Sequence, residues 1–508
     1  MRINWRFFMC GIAGVVDIDF TVNVDMLKQI LKQVEHRGRP GTLAEIDLFS
    51  GFGTCLGTNR LPIVYPGANR QPAVSSSENI ALVMNAQIFN FEELCIKYNL
   101  DWLIKLKSGD THFLVEFIEK YGVDFVLQEI NWEGAFIYLD MESNEIVFVR
   151  DHLGIKPLYY TIVDGKLLLS SEIKGFKNIT CEEIFTVLPG TINRYSLDKR
   201  KIISKKWWNL NASSNNDNLM DILISAVEIR VPQEPYAVLL SGGLDSSIIL
   251  SLAKKVHDNI TAYTLCTDES PDLPYARKLC NELNIPLVEV NADSSDVLRN
   301  KIPKIVEIVE TWEWQVINHS APMDVLFKKI REDGHKVILT GEGADELFFG
   351  YEDFNILDAN KKEKERERRI LDLHRTNCRR LDRMSMAYGL ECRVPFLDRR
   401  LVSFSLNYFY NDCVSETRNK IPLRDIGELL LPEGFSDRKK LSLSKGAGYN
   451  YGKNQNMKNV FGANDEFTSE MRNKNLEKLA RFPIEKYLID IVAENGYFKA
   501  KYLLEACI

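Results

Sequence analysis

In the second half of the chain, apolar runs twice break off into glycines flanked by serines and acids. Tyr236-Ala237-Val238-Leu239-Leu240 passes into Ser241-Gly242-Gly243-Leu244-Asp245-Ser246-Ser247, and Ile248-Ile249-Leu250-Ser251-Leu252-Ala253 follows. A run of β-formers, a glycine turn and a helix-forming stretch predict strand, loop and helix in that order. Val337-Ile338-Leu339 enters Thr340-Gly341-Glu342-Gly343-Ala344-Asp345-Glu346 in the same manner. Residues 260–265 and 286–290 are two more short apolar strands with a helix-length segment between them. Strands alternating with helices predict a parallel sheet with right-handed crossovers and ligands at the carboxyl ends of the strands.

Ahead of this region, residues 209–218 are rich in Asn and Ser without apolar periodicity and read as a linker. Trp207 and Trp208 precede it and are expected at a domain junction, while Leu219, Ile222, Leu223, Ala226 and Val227 follow at helical spacing. Residues 361–369 are dense in Lys, Glu and Arg and predict a solvated helical face held by i,i+4 pairs. At the other end, Met9-Cys10-Gly11-Ile12-Ala13-Gly14-Val15-Val16-Asp17 predicts a first strand, where a cysteine is ordinarily a small hydrophobe. Met9 can itself be an initiator, however, and its removal would leave Cys10 with a free α-amine of pKa about 7.7–8.0. Such an amine can act as general base for the thiol of its own residue.

A chain of 508 residues exceeds one ordinary core, so two or more domains are expected. Its 45% hydrophobic and 27% charged residues are those of a soluble globular protein. A net charge of −7 and a pI near 5.7 argue against a general nucleic-acid binder. No run nears the ~20 apolar residues of a membrane span, and residues 1–8 are too short for a signal peptide. Ten cysteines form no CxxC pair, so neither a zinc site nor a disulfide framework is indicated and a cytoplasmic location is expected. The chemistry concentrates at the glycine loops. Gly242 and Gly243 allow close backbone approach of an anion to a helix start, Ser241, Ser246 and Ser247 add hydroxyl donors, and Asp245 can hold a cation against phosphates. No Gly-Lys-Ser/Thr follows, so this is not a Walker A loop.

The 241–246 loop resembles the pyrophosphate-binding loop of N-type ATP pyrophosphatases, which cleave ATP between the α and β phosphates and activate a carboxylate as an adenylate. The stretch 9–15 resembles the start of class II glutamine amidotransferases, the N-terminal-nucleophile glutaminases, and the resemblance runs to about residue 205. It implies Cys10 as nucleophile. Residues 1–8 conflict with that chemistry; translation from Met9 is the expectation, beside removal of a short propeptide or a dead site. His36-Arg37-Gly38 matches the family's HRG, although Arg39-Pro40 replaces the usual Pro-Asp. Arg60-Leu61-Pro62-Ile63-Val64 resembles the family's RLSIV, which implies glutamine binding with the Arg60 fork on the α-carboxylate. Asn85-Ala86-Gln87-Ile88-Phe89-Asn90 aligns with NGEIYN, which implies an oxyanion hole from the Asn85 amide and the Ala86 N–H. Ala86 stands in place of Gly, and Gln87 in place of the Glu that helps bind the glutamine α-ammonium; Asp110 retains the other ammonium contact. One lost carboxylate implies weaker glutamine binding. Arg150-Asp151-His152-Leu153-Gly154-Ile155-Lys156-Pro157-Leu158-Tyr159 reproduces most of RDxxGxxPLYY and implies an architectural turn, His152 included.

The 340–346 stretch resembles the [ST]GEG[AS]DE signature of asparagine synthetases and β-lactam synthetases. That implies Asp345 beside Asp245 around Mg²⁺, Glu342 near the acyl-adenylate, Leu239, Thr340 and Gly341 at ATP, and Leu265 near the adenine. Residues 381–398 resemble the DxxSMAxGLExRVPFLD block of asparagine synthetases nearly residue for residue. Residues 438–448 resemble RxKxxFxxGxG, which gives Lys440 the place that stabilises charge on the α-phosphate. Together these resemblances point to glutamine-hydrolysing asparagine synthetases. They imply an N-terminal αββα Ntn-hydrolase sandwich over residues 9–205, a linker at 206–218, and over 219–508 an α/β adenine-nucleotide α-hydrolase-like domain with a parallel sheet and a helical extension. ATP and Mg²⁺ are the implied cofactors; glutamine, ATP and aspartate or another carboxylate are the substrates, and a homodimer is left open. Ammonia released in one domain and used in the other implies an internal passage. Asn318 stands where bacterial asparagine synthetases often have the arginine of IRASTPM, which leaves open a sugar acid, a peptide or a biosynthetic intermediate as acceptor. A β-lactam-synthetase-like cyclase would have no use for Cys10, Arg60, Asn85 and Asp110. A decayed glutamine sensor or scaffold would not keep the phosphate loop, Asp345 and Lys440.

Overall fold

The computed structural model describes residues 10–17, 24–38, 48–59, 71–181, 183–213, 218–291, 295–438, 441, 446 and 447. They divide into two units, separated between Asn209 and Leu210. Arg60, Leu61, Pro62, Ile63, Val64 and Lys440 lie outside the described residues, as do residues 1–9.

In chain order the strands of the first unit are β1 (Gly11–Val16), β2 (Leu48–Gly51), β3 (Thr54–Asn59), β4 (Ala73–Val74), β5 (Ile80–Ile88) and β6 (Trp132–Asp140). They continue with β7 (Glu145–Arg150), β8 (Tyr159–Val163), β9 (Lys166–Ser170), β10 (Phe185–Thr186), β11 (Thr191–Ser196) and β12 (Lys201–Lys206). Two antiparallel sheets result, in the orders β10-β8-β9-β1-β3-β2 and β12-β11-β7-β6-β5-β4. The two-residue period of a strand sorts its apolar residues onto two faces. Ala81 and Val83 of β5, Ala135, Ile137 and Leu139 of β6 and Ile146 and Phe148 of β7 share one buried cluster with Ile12, Leu56, Leu167 and Leu169 of the other sheet. Their neighbours Leu82, Met84, Phe136, Tyr138, Val147 and Val149 belong to a second cluster, with Phe113, Leu114 and Phe117 of the helix Gly109–Tyr121. On the outer side of the first sheet lies the helix Val24–Gln33; a side chain at Gly57 would crowd its Leu27 and Leu31 at 3.1 and 2.9 Å. Helix, sheet, sheet and helix stack as an αββα sandwich. Sheets covered on both faces explain why β5, β6 and β7 read as near-continuous apolar runs.

Trp207, two residues before the boundary of this unit, packs within its core. Its ring lies 6.2 Å from that of Trp132 and its Nε1 donates to the Arg150 carbonyl at 3.2 Å. An indole is amphipathic, and here both its apolar face and its N–H find partners in one core.

The second unit is built on β13 (Tyr236–Leu239), β14 (Ile260–Cys266), β15 (Leu287–Asn291), β16 (Val337–Leu339) and β17 (Glu391–Arg393), all parallel, in the order β15-β14-β13-β16-β17. The chain winds outward from β13 to β15 and returns on the other side of β13. The order therefore reverses between β13 and β16, and such a switch point opens a crevice at the carboxyl ends of the strands. The two glycine loops leave these two strands.

The helices Ala359–Asp372, Asn377–Met386, Arg399–Ser405 and Ile421–Leu430 form the extension. Along the first, Arg368–Asp372 and Arg369–Glu365 pair at i,i+4, at 2.5 and 2.7 Å. This face is not wholly solvated, because Arg366 is buried, donating to the Tyr408 carbonyl at 2.7 Å with its guanidinium 4.7 Å from the Phe349 ring centroid. No helix among the described residues is long and apolar enough to cross a membrane.

Candidate active sites

In the first unit the candidate nucleophile Cys10 is half-buried, one residue ahead of β1. Its carbonyl accepts from Arg37 Nε at 3.4 Å. With the Asn85 amide oriented to satisfy its neighbours, Nδ2 donates to the same carbonyl at 3.2 Å and Oδ1 accepts from Arg37 Nη2 at 3.2 Å. The predicted oxyanion-hole asparagine thus sits beside the predicted nucleophile. Arg37 is itself fixed by a fully buried ion pair with Glu172 at 2.6 Å, and Glu172 Oε2 faces His36 Nε2 and Lys174 Nζ, each at 3.0 Å. Two cationic side chains, Arg37 and Lys174, around one buried carboxylate offset its desolvation. Ser171 holds β1 itself, its Oγ accepting from the Ile12 N–H at 2.9 Å. Arg37 was marked only by its place in the HRG match, and neither it nor Ser171 nor Glu172 received a role from the sequence.

Asn85, Ala86 and Gln87 lie near the end of β5. Ala86 lies opposite Gly134, where its methyl leaves no room for a side chain. Gln87 and Asp110 are brought together: Asp110 Oδ2 accepts from Gln87 Nε2 at 3.3 Å and from the Ile88 N–H at 3.2 Å, and both side chains are buried. The amide of Gln87 therefore uses acceptor capacity of the very carboxylate expected to meet a substrate ammonium. The Arg150–Tyr159 turn is architectural. Arg150 donates to the carbonyls of Lys156, Gly154 and Val187 at 2.7–2.9 Å. Asp151 accepts from the N–H groups of Gly134, Leu153, Ile155 and Lys156 at 2.8–3.1 Å. Burial still pushes its carboxyl up to about 6, against the pull of those donors. His152 packs edge-on to Trp208 with centroids 5.3 Å apart, as a turn residue.

In the second unit the loop after β13 leads into the helix Leu244–Val256. Gly242 has φ +71°, and a side chain there would meet the Asp272 carbonyl and Ala276 nitrogen at 2.8 and 2.9 Å. Ser241 and Ser246 hydroxyls are 3.1 Å apart, Ser246 Oγ accepts from the Ser241 N–H at 3.2 Å, and Ser241 Oγ accepts from the Gly243 N–H at 3.3 Å. Ser247 Oγ is buried without a hydrogen-bond partner among the described residues. Gly341, from the loop after β16, lies so close that a Cβ on it would meet Asp245 C and Ser246 N, each at 2.9 Å. Two backbones in contact bring Asp245 and Asp345 together, and both carboxylates converge on Lys420 Nζ: 2.7 Å from each Asp245 oxygen and 2.9 Å from Asp345 Oδ1. This pair is the donor set a hard cation such as Mg²⁺ would use, taking its other ligands from phosphates and water. A lone lysine ahead of a helix carries no sequence signal, and Lys420 was missed.

Around this centre, Thr340 is buried with its N–H on the Arg393 carbonyl at 3.2 Å, and Glu342 pairs with Arg380 at 2.8 Å. Leu239 ends β13 and Leu265 is buried in β14, on adjacent strands. Glu346 is buried and pushed up to about 7 by desolvation and by the charges of Asp345 and Glu342; it accepts from Tyr351 Oη at 2.5 Å and Asn377 Nδ2 at 3.0 Å. Arg438 donates to the Gly242 carbonyl at 2.5 Å, pairs with Asp272 and lies 4.1 Å from the Tyr275 ring centroid. Arg383 pairs with Glu310 at 2.9 Å and Arg375 with Glu313 at 2.6 Å, pinning the segment ahead of the helix Trp314–Ser320. On that helix Asn318 Oδ1 is buried without a partner among the described residues.

Comparison with known proteins finds two family models in the chain: asparagine synthase at residues 218–366 and 358–472, and glutamine amidotransferase domain at residues 9–196. Asparagine synthetase B [glutamine-hydrolyzing] of Escherichia coli (strain K12) is 30% identical over 471 residues, covering 87% of this chain and 83% of that protein. Asparagine synthetase [glutamine-hydrolyzing] 1 of Arabidopsis thaliana is 30% identical over 420 residues, covering 78% and 70%. The asparagine synthetase [glutamine-hydrolyzing] of Zea mays is 30% identical over 487 residues, covering 87% and 79%.

Proposed function

The chain belongs to the asparagine synthase family, with a glutamine amidotransferase domain ahead of the synthase region, and from that premise we propose that it moves the amide nitrogen of glutamine onto a carboxylate activated by ATP. In our reading aspartate is the acceptor and asparagine, glutamate, AMP and pyrophosphate are the products. The glutaminase reaction belongs to residues 9–205 and the synthetase reaction to residues 219–508, joined by 206–218.

Cys10 Sγ attacks the side-chain carbonyl carbon of glutamine while the α-amine of the same residue takes the thiol proton. The tetrahedral oxyanion is held by Asn85 Nδ2 and the Ala86 N–H. Collapse expels ammonia, which leaves with the proton from the amine, and water releases glutamate from the thioester. Arg60 and Asp110 hold the two charged ends of the glutamine backbone. In the second site an acceptor carboxylate oxygen attacks the α-phosphorus, the bond to the β-phosphate oxygen breaks and pyrophosphate leaves. Ser241, Ser246, Ser247 and the N–H groups of Gly242 and Gly243 bind the phosphates, and Lys440 offsets charge on the α-phosphate. When bound, Mg²⁺ neutralises phosphate charge; Asp245 and Asp345 would hold it. Ammonia then attacks the acyl carbon near Glu342 and AMP departs.

The observation that carries this reading is the convergence of Asp245 and Asp345 from two glycine loops at the switch point. The test is amide formation by purified protein with ATP, Mg²⁺ and aspartate, comparing glutamine with ammonium, alongside the intact mass of the chain. Asparagine from both donors, with Cys10 at the N-terminus, is the expected result. Asparagine from ammonium alone overturns the glutaminase half.

Asn318 favours a second reading. An amide oxygen with no partner among the described residues, on the helix where bacterial relatives often carry arginine, suits an acceptor other than aspartate: a sugar acid, a peptide or a biosynthetic intermediate. Pyrophosphate release with such a carboxylate, and none with aspartate, decides for it.

A further inference from the structure

We propose that Lys420 is the built-in counter-ion of the metal-binding carboxylates. It holds Asp245 and Asp345 together, keeps free divalent ions out, and passes to the phosphates when the nucleotide brings the metal in. This inference rests on the reading above that the two carboxylates take Mg²⁺.

The side chain of Lys420 is 2% exposed, and its contacts to carboxylate oxygens number three, at 2.7, 2.7 and 2.9 Å. An ammonium has three N–H bonds to give. All three are matched by the oxygens a metal would need. The backbone is shaped to deliver this group: Lys420 sits in the left-handed region at φ +53°, an uncommon conformation for a residue with a side chain. Its neighbour is anchored on both sides, Asn419 Nδ2 donating to the Gly350 carbonyl at 2.9 Å and Asn419 Oδ1 accepting from Arg424 Nη2 at 2.7 Å. Gly350 in turn leaves the Asp345 carboxylate space that a side chain there would take.

Two carboxylates sharing one site repel, and one ammonium halves their charge. A free divalent ion would therefore meet a net charge near −1 rather than −2, with its oxygens already engaged. A metal arriving on a triphosphate changes both terms. It supplies part of its own ligand shell from phosphate oxygens, and those oxygens give the displaced ammonium a new partner. The exchange is of ion pairs only; no covalent bond is made or broken.

The experiment is a Mn²⁺ titration of the full chain without nucleotide, reading free Mn²⁺ by electron paramagnetic resonance. Lys420→Met is expected to bind Mn²⁺ at least ~10-fold more tightly than the unaltered protein. Lys420→Arg, which keeps the charge, is expected to stay near the unaltered value. If Lys420→Met does not fold, Lys420→Gln carries the same expectation. Equal Mn²⁺ affinity with and without the ammonium, lost on Asp345→Asn, overturns the counter-ion role and leaves the metal reading standing. Tighter Mn²⁺ binding that survives Asp345→Asn in the Lys420→Met background places the metal elsewhere and overturns the metal reading itself.

Discussion

At the scale of single residues, the most informative departure is Gln87. Its Nε2 lies 3.3 Å from Asp110 Oδ2, so the amide satisfies the carboxylate in the absence of substrate. A glutamine ammonium has to compete for that oxygen and finds one negative charge instead of two. Gln87→Glu is expected to lower the KM for glutamine by ~10-fold, the worth of about 1.4 kcal/mol, with kcat for ammonium-dependent synthesis unchanged. Steady-state kinetics with both nitrogen donors checks this, and an unaltered glutamine KM refutes it. Gln87 could be singled out from the sequence because a motif surrounds it. Lys420 could not: its partners lie 175 and 75 positions away, and a lone lysine is normally solvated. The contact of Arg37 with Glu172 was equally illegible, since 135 positions separate them. Motif resemblance marks which residues matter; only the fold says which of them touch.

At the scale of elements, two loops and a helix make separate predictions. The contact of Gly341 with the backbone of Asp245 and Ser246 fixes the distance between the carboxylates. Gly341→Ala has no flexible neighbour to displace, so the loops must part. A misplacement near 1 Å is expected to cost ~10²-fold in ATP-dependent amide formation, measured by pyrophosphate release, with glutaminase activity retained. The helix Ala359–Asp372 gives a pH prediction. Hydrogen bonds from Arg368, followed by those from Arg369, hold the Glu365 carboxyl down at about 2. A depressed acid stabilises the fold while it is ionised in both states, and that contribution fades as pH falls from about 4.5 towards 2. Arg368 is exposed while Glu365 and Arg369 are half-buried, and solvent screening keeps their pairing to about 1 kcal/mol. Glu365→Gln is expected to lower Tm by roughly 2 °C at pH 6, a gap that narrows below pH 4.5 and closes as the pH approaches 2. The strands and glycine turns were legible because sheets covered on both faces leave continuous apolar runs. The burial of Arg366 was not, since a run of alternating charge looks the same whether or not one guanidinium turns inward.

At the scale of the whole molecule, the proposed reading assigns the two reactions to separate units, so they should be separable by mutation. Cys10→Ala is expected to abolish asparagine formation from glutamine and to spare formation from ammonium. Asp345→Asn is expected to do the reverse, losing all synthesis and keeping glutamine hydrolysis. Product mass with each donor checks both, and loss of both activities in Cys10→Ala would contradict the division. The same architecture has a meaning in time. Asp245 and Asp345 leave the ribosome before Lys420, which follows Asp345 by 75 positions. At ~5–20 residues per second that interval is about 4–15 s. Until it ends, the parallel strands that carry the two acids can meet, but without the Lys420 ammonium between them. A chain ending before residue 420 would carry the two glycine loops without the ammonium that lies between their acids.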